Sequence, residues 1–381
     1  MVSPPRTKTT CGAFIGSWEN NTAVYRGIKY GSIARRWQPP TLVCNAAGQK
    51  FNALVQGSIC WQIGRQLRGF GTKQSEDCLN LDVYVPPGAS HNHSTPVVVW
   101  LHGGSLVLGS TTMFPNLAFL AAATNFIFVV PNYRVGAHGF LATDGLAAGD
   151  PRGSSGNYGL LDCVLALEWT RLVVEAFGGD HTRVSVWGQS SGATAIYALF
   201  AMPKAAGLFT SAVALSGSPN ITISSAAANA QNQAMLRSLG PTSNASKCAA
   251  LVAERQLDCL LSLSAAEAAM LPGSFNVGPV APVAPTGQGC AQLLVPTYHI
   301  SASALLVLHL RMPLPRHHRY VGLPVVDGHT LAMSPEQALR AGLVNASLLL
   351  QNTQVSAHSH FTRVLGYSPL RVSAPRAQPL Y

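Results

Sequence analysis

The sequence predicts an α/β domain with a mostly parallel central sheet covered by helices. Short apolar runs alternate with helix-length segments between residues 96 and 216. Two of the runs, 96–101 and 126–131, are apolar almost throughout, as strands buried on both faces are. A third run, 184–187, enters a Gly-x-Ser-x-Gly turn, and a helix-like segment follows at 194–200.

Residues 10–30 alternate and carry turn residues, which predicts a small hairpin. Residues 35–40 form an irregular crossing segment. A strand with an acidic entry is expected over 75–86, and an apolar strand over 96–101 ends in His102-Gly103-Gly104-Ser105. A helix is expected over 114–123, a buried strand over 126–131, and a long amphipathic helix over 156–177 ended by Gly178-Gly179-Asp180. The strand of the Gly-x-Ser-x-Gly turn, its helix and a strand over 212–216 complete the pattern. In such sheets the site lies beyond the carboxyl ends of the strands. The loop after Leu101 and the turn after Trp187 both fall there.

That turn is Gly188-Gln189-Ser190-Ser191-Gly192. Strand, sharp turn and helix together make a nucleophile elbow, in which the serine stands clear of the sheet on a strained turn. Small flanking residues let strand and helix pack beside it, and the amides at the helix start point where negative charge would develop. The pattern by itself is equally that of a glycine-rich turn after a buried strand, so the rest of the chain decides.

Of 381 residues, 48% are hydrophobic and 10% charged, which supplies ample core and excludes a disordered chain. The formal net charge is +10, but the basic residues are scattered, with a single tight cluster at Arg316-His317-His318-Arg319. Neither a basic stripe nor a nucleic-acid-binding module is present, so no nucleic-acid partner is expected. No apolar run has the length of a membrane span. Eight cysteines and the acceptor sequons at Asn20, Asn92, Asn220, Asn244 and Asn345 point to the secretory pathway. Residues 1–10 hold no apolar signal segment, which raises the expectation of a missing N-terminal piece. Cys163 falls in the long helix pattern as a buried free thiol, and Cys11, Cys44 and Cys290 have no evident partner. No Cys-x-x-Cys or histidine spacing supports a metal site.

The motifs Tyr25-Arg26-Gly27-Ile28-Lys29-Tyr30, Glu76-Asp77-Cys78-Leu79-Asn80-Leu81 and His102-Gly103-Gly104 occur in this order. Tyr133-Arg134-Val135-Gly136, Gly156-Asn157-Tyr158-Gly159-Leu160-Leu161-Asp162, Phe177-Gly178-Gly179-Asp180 and the elbow follow. With them the chain resembles the type-B carboxylesterase/cholinesterase family of α/β-hydrolases. The resemblance runs over about 7–279 and again about 323–361. The family also has non-catalytic members, neuroligin-like and thyroglobulin-like.

The resemblance implies one α/β-hydrolase domain over 7–361, lacking its last strands and helices, with an irregular tail at 362–381; the stretch 281–321, foreign to the pattern, reads as an insertion or, alternatively, as translated non-coding sequence. It pairs Cys60 with Cys78 and Cys248 with Cys259. It makes Ser190 the nucleophile and gives the oxyanion hole to the amides of Gly104, Ser105 and Ser191. Ser105 stands where a third glycine is common, Ser191 where alanine is common, and Gln189 where glutamate is usual. A side chain at 105 is expected to narrow the hole. The acid position falls on Ala357, and the family's histidine would come further along than Tyr381. His358 and His360 read as loop residues, and His102 belongs to the oxyanion motif rather than serving as base. The expected function is a secreted serine carboxylesterase acting on small carboxylic esters, without cofactor and impaired in this chain. The alternative is a non-catalytic, esterase-like binding domain with a protein partner.

Overall fold

The computed structural model describes residues 3–44, 48–62, 73–90, 94–114, 116–219, 222–271, 324–341 and 348–352. The proposed insertion at 281–321, the tail at 362–381, Cys290, Asn92, Asn220, Asn345, Ala357, His358 and His360 lie outside the described residues. Among the described residues the central sheet has eight strands. They are β1 (Ser17–Glu19), β2 (Thr22–Lys29), β3 (Asn80–Val85) and β4 (Thr95–Leu101). β5 (Ile127–Pro131), β6 (Gly179–Gln189), β7 (Ser211–Leu215) and β8 (Leu348–Asn352) follow. Their order is β8-β7-β6-β4-β5-β3-β2-β1. From β8 to β5 every neighbour is parallel, and β5, β3, β2 and β1 pair antiparallel at the other edge.

The side-chain period of two sorts each strand between two cores. On β4, Val97, Val99 and Leu101 enter the larger core, whereas Val98 and Trp100 enter the smaller one. β5 divides the same way, with Ile127 and Val129 opposite Phe128 and Val130. Helix α1 (Leu117–Thr124) covers the smaller core with Leu117, Ala118 and Ala121. Helices α2 (Tyr158–Val173) and α3 (Ser191–Phe200) cover the larger one. β4 and β5 are therefore buried on both faces, which is why these two strands read as continuous apolar runs.

Three expectations need correction. Residues 10–30 do not form one hairpin. Arg6–Thr9 pairs with Gly12–Ile15 in a separate three-stranded sheet, while β1 and β2 turn at Asn20–Asn21. Two tight turns, at Thr10–Cys11 and Asn20–Asn21, split the alternating stretch between two sheets. The helix over 156–177 is not one amphipathic element. Helix α2 ends at Val173 and a 3-10 turn runs from Val174 to Phe177. Only Glu168 and Leu172 of α2 are exposed, because it lies between the sheet and further chain segments on its outer side. Cys11 and Cys44 do have a partner: each other. The bond closes a separation of 33 residues, where loop-closure entropy is worth about 3–4 kcal/mol. Disulfides also join Cys60 to Cys78 and Cys248 to Cys259, and Cys163 is a buried free thiol whose pKa burial pushes up.

One buried ion pair ties the exit of β5 to α2. Arg134 donates through Nε and an Nη to the two carboxylate oxygens of Asp162, at 2.8 and 2.7 Å. The Arg134 amide adds a bond of 2.9 Å to the same carboxylate, and another Nη reaches the Gln38 carbonyl at 2.9 Å. The two side chains are 4% and 0% exposed, so this is a charge pair out of water with its hydrogen bonds made.

Candidate active site

Strand β6 stops at Gln189 and α3 starts at Ser191, so Ser190 is the whole connection between them. It adopts φ 58 and ψ −124, a conformation that a non-glycine residue keeps only when its surroundings impose it. The Ser190 amide donates to the Leu215 carbonyl at the end of β7, at 2.8 Å, and the Ser190 carbonyl accepts the first helical bond from Thr194 at 3.0 Å. Gly192 admits no side chain: a Cβ there would lie 2.2 Å from the Leu101 carbonyl oxygen and 2.7 Å from that of His102. The turn is thus built on the carboxyl ends of β4, β6 and β7 together. Ser190 is half-buried, within reach of a ligand.

The loop after β4 packs against this turn. A Cβ on Gly103 would meet the Gln189 carbonyl at 2.8 Å and the Ser190 Cβ at 3.3 Å. Gly104, Ser105 and Leu106 then run through φ 114, 61 and 57. For Ser105 and Leu106 that costs about 1–3 kcal/mol each. The surroundings hold them there. The Leu106 amide donates to Ser191 Oγ at 3.0 Å, its carbonyl accepts from the Gly136 amide at 2.6 Å, and its side chain is buried. The Ser191 hydroxyl is therefore engaged with the loop, a bond that alanine could not make. Among the described residues, the amides of Gly104, Ser105 and Ser191 donate to no protein acceptor.

His102 is fully buried and stacks on Tyr133, with ring centroids 4.1 Å apart and 9° between the planes. Its Nδ1 lies 2.9 Å from the Gly103 carbonyl, which can only accept, so the proton sits on Nδ1. The Tyr133 hydroxyl donates to the His102 carbonyl at 2.5 Å. Burial pulls the imidazole pKa down to about 4, and the Gly103 carbonyl opposes this only in part. His102 is thus a neutral prop of the loop.

The rings of His138 and His181 are engaged elsewhere, and His329 is exposed near Asp327. His138 contacts the Ala265 carbonyl and Glu76, His181 pairs with Glu175, and His329 donates its amide to Asp327. None is hydrogen-bonded to Ser190. Among the described residues no cluster of three histidines, cysteines or carboxylates is placed to hold a metal ion, and no helix is long and apolar enough to cross a membrane. Of the sequons, Asn20 and Asn244 are exposed. A residue that sequence reasoning passed over is Gln62, whose buried side chain binds the far end of the loop at Gly109. An isolated glutamine has no pattern to reveal it.

The buried groups set a pH dependence. His102 and His138 both have pKa values lowered to about 4 by burial, against 6.5 when free. Their contribution is complete above pH 6.5 and is lost as pH falls toward 4. Asp82, buried on β3, has its pKa raised to about 7 by desolvation, so its contribution is present below 3.8 and is lost as pH rises to 7. Between pH 4 and 6.5 two groups oppose one. We expect the chain to be less stable at pH 4.5 than at pH 6.5. Urea unfolding at the two values measures this, and equal or greater stability at pH 4.5 would refute the assignment.

Comparisons with known proteins bear on this geometry. The profile of the Carboxylesterase family matches residues 3–365. Para-nitrobenzyl esterase of Bacillus subtilis is 36% identical over 268 residues, 68% of this chain and 50% of that protein. Neurotactin of Drosophila melanogaster is 36% identical over 229 residues, 57% of this chain and 27% of that protein. The chain thus spans half or less of these curated relatives. A crystal structure of a Geobacillus stearothermophilus carboxylesterase superposes with TM-score 0.66 and 27% identity, covering 91% of this chain and 60% of that one.

Proposed function

The chain belongs to the carboxylesterase family, and from that premise we propose that its elbow is a serine esterase site for small carboxylic esters. The observation that carries this is Ser190 at φ 58 and ψ −124 directly against the Gly103–Gly104–Ser105 loop. Ser190 is the nucleophile. Its Oγ attacks the ester carbonyl as its proton passes to a general base, the amides of Gly104, Ser105 and Ser191 receive the oxyanion, and collapse expels the alcohol to leave an acyl-serine that water hydrolyses to the acid. Both serines at those positions act through their backbone. The Ser191 hydroxyl meanwhile anchors the loop through Leu106. No cofactor is needed for this chemistry.

We further propose that residues 1–381 are a poor catalyst when tested by themselves. Among the described residues no histidine is hydrogen-bonded to Ser190, the rings of His102, His138 and His181 are engaged elsewhere, and the resemblance puts Ala357 at the acid position. Without its acid, a triad loses about 10⁴-fold in rate, while an oxyanion hole with binding retains about 10³–10⁴-fold over water. The second reading, an extracellular esterase-like interaction domain with a protein partner, draws on the same Ala357. One domain over 7–361 with an insertion at 281–321 serves either reading. Secretion and glycosylation are supported by three disulfides and by exposed sequons at Asn20 and Asn244.

Hydrolysis of p-nitrophenyl butyrate by the 381-residue chain tests this, with Ser190→Ala and with added imidazole as a base from solution. We expect slow turnover that Ser190→Ala changes little, and a rise with imidazole that Ser190→Ala abolishes. Fast turnover abolished by Ser190→Ala without imidazole would show that a base is present and the impairment is wrong. No Ser190-dependent rise with imidazole would overturn the esterase reading in favour of the interaction domain.

A further inference from the structure

We propose that Gln62 is a positioning residue for the oxyanion loop, acting through Gly109. The proposal rests on the esterase reading of the loop for its catalytic meaning, but not for its structural content. Gln62 is 5% exposed and has its side-chain amide laid against one residue. Its Oε1 accepts from the Gly109 amide at 2.7 Å, and its Nε2 donates to the Gly109 carbonyl at 3.0 Å. The second proton of Nε2 goes to the Cys60 carbonyl at 2.9 Å, and the Gln62 amide donates to Gln74 Oε1 at 2.8 Å. The side chain is therefore fixed on the Cys60–Cys78 disulfide segment, and both of its amide ends are used.

Gly109 in turn leans on the site. It has φ 133, and a Cβ there would lie 2.1 Å from His102 Nδ1 and 2.6 Å from the Gly103 carbonyl oxygen. Gly103 is the residue that touches Ser190. The contact path runs Gln62, Gly109, His102 and Gly103, Ser190. Between Gly103 and Gly109 lie the two left-handed non-glycine residues, Ser105 and Leu106. A strained segment relaxes unless both ends are held. Ser191 and Gly136 hold it at Leu106, and Gln62 holds it at Gly109, with Asn132 Oδ1 accepting from Thr111 just beyond at 2.9 Å. Gln62 is not part of the elbow, so it can be changed without touching the nucleophile.

Gln62→Met keeps length and removes both bonds to Gly109, whereas Gln62→Glu keeps an acceptor for the Gly109 amide. Hydrogen exchange of peptides covering 103–110, and imidazole-supported labelling of Ser190 by a fluorophosphonate, are to be measured in the 381-residue chain. We expect Gln62→Met to speed exchange of the loop about tenfold and slow labelling about tenfold, with exchange in β4 and β5 unchanged. Gln62→Glu sets a carboxylate oxygen against the Gly109 and Cys60 carbonyls, so at pH 7 it should speed loop exchange at least as much as Gln62→Met, and it carries the comparison if Gln62→Met fails to fold. Unchanged loop exchange with a lowered unfolding midpoint would make Gln62 a structural plug and overturn the proposal. Ser190-dependent labelling that stays unchanged while the loop exchanges faster would overturn it too. If wild type labels no faster than Ser190→Ala, faster loop exchange still supports the clamp, and the esterase reading is what fails.

Discussion

Asp162→Ala is expected to lower the stability of the fold by about 3–5 kcal/mol, because it leaves the Arg134 guanidinium buried without its counter-charge. Both partners are almost fully buried, and the carboxylate accepts three bonds from Arg134, two from the guanidinium and one from the amide. Water cannot replace these acceptors at an arginine side chain 4% exposed. The guanidinium also lies over the Tyr158 ring, 5.5 Å from its centroid, so it has no free direction in which to turn. Most of the loss is the cost of an uncompensated charge rather than the net worth of the pair. A double replacement, Arg134→Met with Asp162→Leu, should therefore recover a large part of it. Urea unfolding of the single and double variants checks both statements. A single variant within 1 kcal/mol of wild type would show that the pair is hydrated in solution, and a double variant as unstable as the single would show that the pair itself stabilises the fold.

Gly192→Ala should cost about 3 kcal/mol or more and disturb the elbow at the same time. The added methyl would sit 2.2 Å from the Leu101 carbonyl oxygen, which belongs to the backbone of a strand paired on both sides. Overpacking against flexible side chains costs about 1–3 kcal/mol, and a paired backbone has less room to give. Gly207 makes the control. It has φ 73 and nothing within 4 Å of an added Cβ, so Gly207→Ala pays only for its left-handed backbone, about 1–2 kcal/mol. If the two variants unfold at the same denaturant concentration, the close approach of α3 to β4 is not rigid.

The parts of the fold that were legible beforehand are those whose signal is local. The strands β4 and β5 show as apolar runs because both their faces are buried. The elbow shows because Gly188 and Gly192 are required by contacts within a few residues and with the next strand. The bond between Cys11 and Cys44 was not legible, since it depends on how the small N-terminal sheet brings the two together. The character of α2 was misread for a related reason. Its apolar and polar residues have helical spacing, but what covers its outer side is set by tertiary packing. The left-handed turn at Ser105 and Leu106 was hidden as well. Neither residue favours that conformation, and the bonds that accompany it, from Leu106 to Ser191 and Gly136, come from separate parts of the chain.

The bond from the Ser190 amide to the Leu215 carbonyl has a consequence for the order of assembly. In the folded chain the Ser190 turn is bonded to β7, and Gly192 packs against β4 on the other side of β6. The β6–β7 pairing spans one crossover helix, α3, while the β4–β6 pairing spans α1, β5 and α2, and such non-local contacts close a long stretch of chain. On a ribosome the turn is complete only after residue 215 has emerged, well after the Gly-x-Ser-x-Gly segment itself. Until then the segment is an exposed, glycine-rich stretch flanked by apolar residues. A chain interrupted between residues 192 and 211 would carry the Gly-x-Ser-x-Gly motif without the β7 carbonyl that its serine amide bonds.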